Sequence, residues 1–518
     1  MTREQGAILL AGPPGVGKTT VARTIGAEAG LQAADLDELV ALRAGQSPAE
    51  IIRREGEPRF RTLEAEALAA LDPAIDVLAL GGGTLTSPRG RQMARARGFV
   101  MGLDAGLSTL RTRLAASRVS RPLLESTGLE SLLAERTASY ASVDETVSAE
   151  GPPETIARAV LARLERIFVL EATVGERATR VLVGRDLPRA LAGAVAALAP
   201  RRTVLALVDR GAPEPRVEKY LAAARGVAPL EVIELPGGEA VKTWAGLGEV
   251  LERAVELGGG RQSVVIGIGG GALCDLAGMT AALLGRGADL VLVPTTLLAQ
   301  ADASVGGKCA INLAAGRNLA GTFHPARDVV TDTDFLATLS AEERRSGLAE
   351  ILKMGVIADP ELFEAALGGT WPDEHLVARA VRHKLRIVAE DPYERGPRKQ
   401  LNLGHTLGHA LEVASRFELR HGEAVAIGLA AIARFSQARG LTEASTSQRI
   451  VDALASVGLP TFADPGLLQA AAEHLRRDKK SDRDQLDLIA VQEVGKVRVL
   501  RLSLLEATAE LLRSGGRS

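Results

Sequence analysis

Between the apolar run Ala7–Ala11 and a helix-like stretch over 19–29 lies Gly12-Pro13-Pro14-Gly15-Val16-Gly17-Lys18-Thr19. Glycines, a lysine and a hydroxyl at this spacing prescribe one local geometry. A buried strand ends, the chain turns through angles that glycine adopts without strain, and a helix starts at once. Backbone N–H groups then face a common point, and the helix N-terminus adds positive potential, so the loop cradles phosphates. Lys18 is placed to reach the terminal phosphates and the Thr19 hydroxyl to ligate Mg2+, which makes ATP with Mg2+ the expected ligand. A plain Gly/Pro turn would need neither Lys18 nor Thr19.

Beyond this loop strand-like and helix-like segments alternate. Apolar runs at 77–80 and 99–103 are strand candidates, and 48–71 is rich in Ala, Glu, Arg and Leu. Alternation of this kind builds a parallel sheet with helices on both faces. An amphipathic helix over 154–167 follows the breaker Gly151-Pro152-Pro153, and a fresh strand pattern begins at Phe168. Asp35 and Asp37 stand two apart, so one can attend Mg2+ while the other holds or deprotonates an acceptor hydroxyl. A solvated turn accounts for that pair equally well. Gly81, Gly82 and Gly83 directly follow a strand and permit close backbone approach to a ligand. Arg61, Arg121 and Arg136 supply paired N–H donors suited to a carboxylate.

Together with Gly45-x-Ser47, Gly56-Glu57-x-x-Phe60-Arg61-x-x-Glu64, Arg121-Pro122-Leu123-Leu124 and Arg136-x-x-x-Tyr140, these residues resemble the shikimate kinase family over 1–167. The resemblance implies a P-loop NTPase-type sheet that transfers a phosphoryl group from ATP to shikimate. It also implies that Asp37, Arg61, Gly81, Gly82, Gly83 and Arg136 hold shikimate and that Asp35 joins Thr19 at Mg2+. Gly12, Gly15, Gly17 and Lys18 would hold the nucleotide, with Arg121 on a lid, and Lys18, Asp37 and Arg121 forming the reacting set. A gluconate-kinase-like enzyme shares the loop but not the acid-gripping arginines.

From 168 to 338 the α/β pattern recurs, with runs at 204–208, 264–268 and 290–293. Gly267-x-Gly269-x-x-Ala272 follows a strand and satisfies a dinucleotide fingerprint. Asp209, ending a strand, is either a ribose contact or a turn residue. After 339 the strand signal fades into helical patterns, with 486–490 the exception. All seven histidines (His324, His375, His383, His405, His409, His421, His474) lie in the C-terminal two-fifths. On a helix His405 and His409 share a face, and His421 follows shortly. Such pairs are more often core or surface residues. Glu350, three before Lys353 on an apolar helix, supplies the carboxylate that completes a His-His-carboxylate zinc set.

Further motifs accompany these: Pro236-Gly237-Gly238-Glu239-x-x-Lys242, Gly269-Gly270-Gly271-x-x-x-Asp275-x-x-Gly278, the run 294–308, Asn318, Lys384, Arg398-x-x-Leu401-Asn402 and Lys479-Lys480. Residues 168–500 thereby resemble the 3-dehydroquinate synthase family. The resemblance implies a Rossmann-like NAD-binding α/β domain at 168–338 and a mainly helical metal-binding domain at 339–518. It makes Glu350, His405 and His421 ligands of Zn2+ or Co2+. NAD would be held by Asp209, Glu239, Lys242, Gly270, Gly271, Asp275, Thr295 and Thr296. Arg286, Asp302, Lys308, Arg317, Asn318 and Lys480 would bind the heptulosonate phosphate, with Lys353, Lys384, Arg398 and His409 in the reacting set. Arg317 and Cys309 depart from the family's usual Lys and Thr.

The chain therefore resembles a bifunctional enzyme of the shikimate pathway. Other sugar-phosphate cyclases, or a zinc polyol dehydrogenase fused to a P-loop small-molecule kinase, share the architecture. A pair of non-catalytic sensor domains would not need both complete residue sets. With 62 basic and 64 acidic side chains among 518 residues, the net charge of −2 argues against a nucleic-acid partner. Only Cys274 and Cys309 occur, which excludes a disulfide scaffold and fits the cytoplasm. No apolar run reaches the ~18 residues of a membrane span. A homo-oligomer formed through the synthase part is also expected.

Overall fold

In the computed structural model, which describes residues 6–117, 122–198, 203–314, 316–368, 373–477 and 485–516, β1 (Ala7–Ala11) is buried along its whole length. It runs between β3 (Val77–Ala79) and β4 (Gly98–Asp104), with β2 (Ala33–Asp35) and β5 (Glu145–Ser148) at the edges, in the order β2-β3-β1-β4-β5. Every pairing is parallel. Helices cover both faces, and this is why β1 and β3 read as unbroken apolar runs. The helix expected over 48–71 is two, Pro48–Glu55 and Glu57–Ala69, because Gly56 turns the chain at φ 84°.

The second sheet starts at β6 (Phe168–Val174), which forms a hairpin with β7 (Arg177–Gly184). Its other strands are β8 (Val204–Asp209), β9 (Leu230–Leu235), β10 (Val264–Gly269), β11 (Asp289–Pro294) and β14 (Asp328–Asp332), in the order β6-β7-β14-β11-β10-β8-β9. From β8 the chain passes outward to β9 and then back to β10 on the other side. The direction of winding thus reverses between β8 and β10, where ligands bind in open α/β sheets. A separate hairpin, β12 (Lys308–Leu313) with β13 (Gly316–Phe323), stands over that point.

The remainder is helical around Ala341–Ala358, which is buried continuously from Ser346 to Ile357. A helix apolar on all sides belongs at the centre of a bundle. The strand-like stretch near 486–490 is half of an antiparallel hairpin, β15 (Gln485–Glu493) with β16 (Lys496–Ser503). β16 alternates exposed and half-buried residues, so its sequence carries no apolar run.

The two sheets are not independent bodies. One apolar cluster includes Ile8, Val77 and Phe99 together with Leu182, Val204, Val264 and Val330. At its edge Arg95 pairs with Asp144 and, at 2.6 Å, with Asp328, while Arg180 reaches Asp144 at 2.8 Å and the Gly98 carbonyl at 3.0 Å. All four charged side chains are buried. Burial alone opposes charge on Asp144, but Arg180 and Arg95 outweigh it and hold its carboxyl below the usual range. No helix among the described residues is long and apolar enough to cross a membrane.

Candidate active sites

At the end of β1 the chain enters the left-handed region at Gly12, Gly15 and Gly17 (φ 141°, 81° and 102°), and helix Lys18–Ala29 starts at Gly17. A side chain on Gly12 would collide with the Leu103 carbonyl. Lys18 Nζ lies over the loop, donating to the Gly12 and Pro13 carbonyls at 2.9 and 3.1 Å. The Thr19 hydroxyl donates to Asp35 Oδ2 at 2.5 Å. Asp35 Oδ1 meanwhile caps the next helix through Asp37 N and Glu38 N. This local bonding fixes the spacing of the two aspartates.

Asp37 faces Gly81, and its Oδ1 has no hydrogen-bond partner. Loss of water, then Glu64 and Asp35, push its carboxyl up to about 7, against the pull of Lys18 and Arg61. A carboxyl near neutrality beside a phosphate loop is suited to accept a hydroxyl proton. Arg61 bonds Glu64 at 2.5 Å and Glu57 at 2.6 Å, and Gly83 has no Cβ because the Arg61 guanidinium fills that space. Arg136 and Tyr140 both donate to the Gly82 carbonyl, at 3.0 and 3.1 Å. Asp37, Arg61, Gly81–Gly83 and Arg136 therefore enclose one space at the mouth of the loop. Arg121 lies outside the described residues.

At the second site Gly270 and Gly271 open helix Gly271–Leu283, and Thr295 N donates to the Gly269 carbonyl. Asp209 caps its own turn through Gly211 N at 2.7 Å, and Gly237 packs against its carboxylate. Lys242 reaches both Asp275 and Asn318 at 2.5 Å, and Glu239 accepts from Asn312 at 2.7 Å. The dinucleotide candidates are thus brought together across the switch point, with the β12–β13 hairpin as one wall. Asn318 belongs to that wall, tied to Lys242.

Beyond it, Lys384 bonds Asp302 at 2.7 Å, and Lys353 stands 4.0 Å from the same carboxylate. Arg398 is held by the Gly306 and Pro392 carbonyls at 2.8 and 2.6 Å, leaving its buried Nε without an acceptor. An unsatisfied buried donor is the kind of gap an anionic ligand fills. Lys308 pairs with Glu394; loss of water, then Arg398 and Lys384, bring it down to about 8. Four cations in one pocket form a receptacle for a phosphorylated acid.

Glu350 and Lys353 form a buried ion pair on helix Ala341–Ala358. His405 opens helix His405–Ala414 behind Gly404 (φ 78°), and its Nδ1 donates to the Leu403 carbonyl at 3.1 Å. Its Nε2 therefore carries a lone pair, 3.5 Å from Glu350 Oε1. His421 opens helix His421–Ala438, whose Gly422 packs directly on Ser346, and its Nε2 stands 3.2 Å from the same oxygen. The donor atoms of Glu350, His405 and His421 lie within 4.8 Å of one another. Burial opposes charging of His421, but Glu350 and Glu412 outweigh it and raise its pKa to about 10. Burial would likewise raise Glu350, yet Lys353 and the imidazoles hold it well below the carboxylate range. The donor set has the composition and convergence that a divalent cation requires. His409 flanks it, ring centroids 5.2 and 6.2 Å from His405 and His421.

Three candidates stand outside the arrangement described so far. Arg286 follows the C-terminal end of the helix whose N-terminus carries Gly271, so it stands apart from Gly270 and Gly271. Arg317 is bonded to Glu412 at 2.7 Å rather than turned into the cationic pocket. Lys480 lies outside the described residues. Conversely, Glu412 and Glu394 are parts of the site that were not singled out. Glu412 stands two turns after His405 on the same face, a legible spacing. Glu394 sits in an irregular loop with φ 58°, bonded to Asn402 and Lys308, and nothing local signals it.

A model of the shikimate kinase family matches residues 14–165. Models of the N-terminal and C-terminal parts of 3-dehydroquinate synthase match residues 232–346 and 347–481. A 3-dehydroquinate synthase of Rhodopseudomonas palustris is 42% identical over 351 residues, 64% of this chain and 91% of the relative. One of Xanthomonas axonopodis is 41% identical over 317 residues, 58% and 86% respectively. Among solved structures, a 2-deoxy-scyllo-inosose synthase complexed with carbaglucose-6-phosphate, NAD+ and Co2+ has TM-score 0.59 at 25% identity. That likeness covers 67% of this chain and 99% of that one. A 2-epi-5-epi-valiolone synthase of Streptomyces hygroscopicus with NAD+ and Zn2+ bound has TM-score 0.55 at 28% identity, covering 64% and 97%.

Proposed function

The chain belongs to the 3-dehydroquinate synthase family and carries a shikimate kinase domain ahead of it, a bifunctional enzyme of the shikimate pathway, and we propose the following division of labour among its residues. In the kinase, units up to about residue 167, the loop amides and Lys18 hold the ATP phosphates, Lys18 swinging off the Gly12 and Pro13 carbonyls. Thr19 and Asp35 hold Mg2+. Asp37 takes the proton of the shikimate hydroxyl. Arg61 and Arg136 grip the shikimate carboxylate, which displaces Glu57 from Arg61, while Gly81–Gly83 keep the approach open. By the family resemblance alone, Arg121 joins Lys18 and Asp37 in the reacting set.

In the synthase, Asp209, Glu239, Lys242, Asp275, Gly270, Gly271, Thr295 and Thr296 hold NAD, and Glu350, His405 and His421 hold Zn2+ or Co2+. When bound, the metal polarises a substrate hydroxyl and NAD+ accepts and returns a hydride. Lys308, Lys384 and Arg398 neutralise the phosphate and carboxylate of the heptulosonate phosphate. Asp302 fixes the ammonium groups of Lys384 and Lys353, and His409, at the open side of the cluster, exchanges protons with the substrate. The similarity to cyclases solved with NAD+ and Co2+ or Zn2+ supports these cofactors. Two buried cysteines without a disulfide support a cytoplasmic site of action.

The observation that carries the synthase reading is the convergence of two imidazole Nε2 atoms on one Glu350 oxygen, beside a pocket of four cations. Incubating the purified protein with 3-deoxy-D-arabino-heptulosonate 7-phosphate, NAD+ and Zn2+ tests it. Phosphate and 3-dehydroquinate should appear in equal amounts without net NADH; release of neither would refute the reading.

A further inference from the structure

The two imidazoles that converge on Glu350 are oriented by different partners. His405 is fixed from its own turn, by the Leu403 carbonyl. His421 has no backbone acceptor at Nδ1. That atom instead lies 3.4 Å from each oxygen of Glu412. Glu412 is buried, and a carboxylate in such a place needs a second partner. It has one in Arg317, whose Nη1 bonds Oε1 at 2.7 Å. The guanidinium in turn lies 4.3 Å over the Phe417 ring. Phe417 and the preceding Arg416 both adopt left-handed backbone (φ 66° and 53°), a strained turn for non-glycine residues that sets the ring beneath Arg317. Phe417 N donates to the Glu412 carbonyl at 2.8 Å, closing the unit on itself.

We propose that Glu412, held by Arg317, is the positioning residue that aims His421 Nε2 at the metal. This rests on the reading that Glu350, His405 and His421 are the ligands. A ligating histidine commonly donates its other N–H to a carboxylate, which fixes both tautomer and ring plane. Arg317 comes from β13, the wall that also supplies Asn318 to Lys242. The hairpin that closes the dinucleotide space therefore braces a metal ligand as well. Arginine suits the position because its planar group stacks and bonds at once, which a lysine ammonium cannot do.

Metal affinity, measured without NAD or substrate, tests this directly. Chelator-stripped protein is titrated with Co2+, following its ligand-field absorption, and Zn2+ affinity is read by competition with a chromophoric chelator. Glu412→Gln should weaken binding about 10- to 100-fold and alter the Co2+ spectrum. Arg317→Lys should weaken it by a smaller factor, and the double variant no more than Glu412→Gln alone. Unchanged shikimate phosphorylation serves as the check that each variant is folded. Wild-type affinity and spectrum in Glu412→Gln would overturn the proposal. So would a fall in stoichiometry from two Co2+ to one, which would make Glu412 a ligand with His409 and His421. His405→Ala separates the layers. If it binds Co2+ as the wild type does, the ligand assignment itself fails; if it loses Co2+ while Glu412→Gln keeps it, only the positioning role fails.

Discussion

Asp37 shows how a single residue ties stability to chemistry. Its carboxyl titrates at about 7 in the fold against 3.8 in an ordinary environment. Between those values the folded chain keeps a proton that the unfolded chain releases, so this group favours folding at low pH and loses that contribution as pH rises from 4 to 7. Asp37→Asn removes the ionisable group from this crowded site. Differential scanning calorimetry at pH 8 should show a melting temperature several degrees higher, while shikimate phosphorylation falls at least 100-fold. For the wild type, kinase kcat/KM should rise through about pH 7 as Asp37 ionises. A smaller change probes Gly83. A methyl there would push the Arg61 guanidinium off its bonds to Glu64 and Glu57, so Gly83→Ala should raise the KM for shikimate about tenfold, roughly 1.4 kcal/mol. Unchanged KM would separate Arg61 from the acid-binding role.

At the scale of elements, what the sequence made legible was local. The phosphate loop is read in eight residues because strand end, glycine turns and helix start are chain neighbours. Glu350, His405 and His421 were identifiable by residue type and motif, yet their convergence depends on Gly422 packing on Ser346, an inter-helix contact no periodicity displays. The helix predicted over 48–71 fails at Gly56, where one left-handed residue outweighs good helix formers on both sides. β16 shows no continuous apolar run because only Val497, Leu500 and Leu502 of it pack on the core. The ligand convergence and the packed side chains of β16 share a cause: the deciding contact lies on a different element.

For the whole molecule, the sequence described separate units each with its own core, and the structure joins them. Arg95, Asp144, Arg180 and Asp328 are spread over 233 residues and meet in one buried network. No local pattern reports such a meeting. Breaking a buried pair while leaving its partner charged costs about 3–5 kcal/mol. Asp144→Asn should therefore lower the melting temperature of both halves together, measured by kinase and synthase inactivation on heating. Loss of one activity at the wild-type temperature would show that the halves unfold separately. A shared interface does not imply shared chemistry, because no residue of the phosphate-loop site belongs to the histidine site. The direct test is to assay both reactions in the same preparations of wild type, Lys18→Ala and His405→Ala. The account predicts that Lys18→Ala loses only shikimate phosphorylation and His405→Ala only dehydroquinate formation; loss of both activities in either folded variant would contradict it.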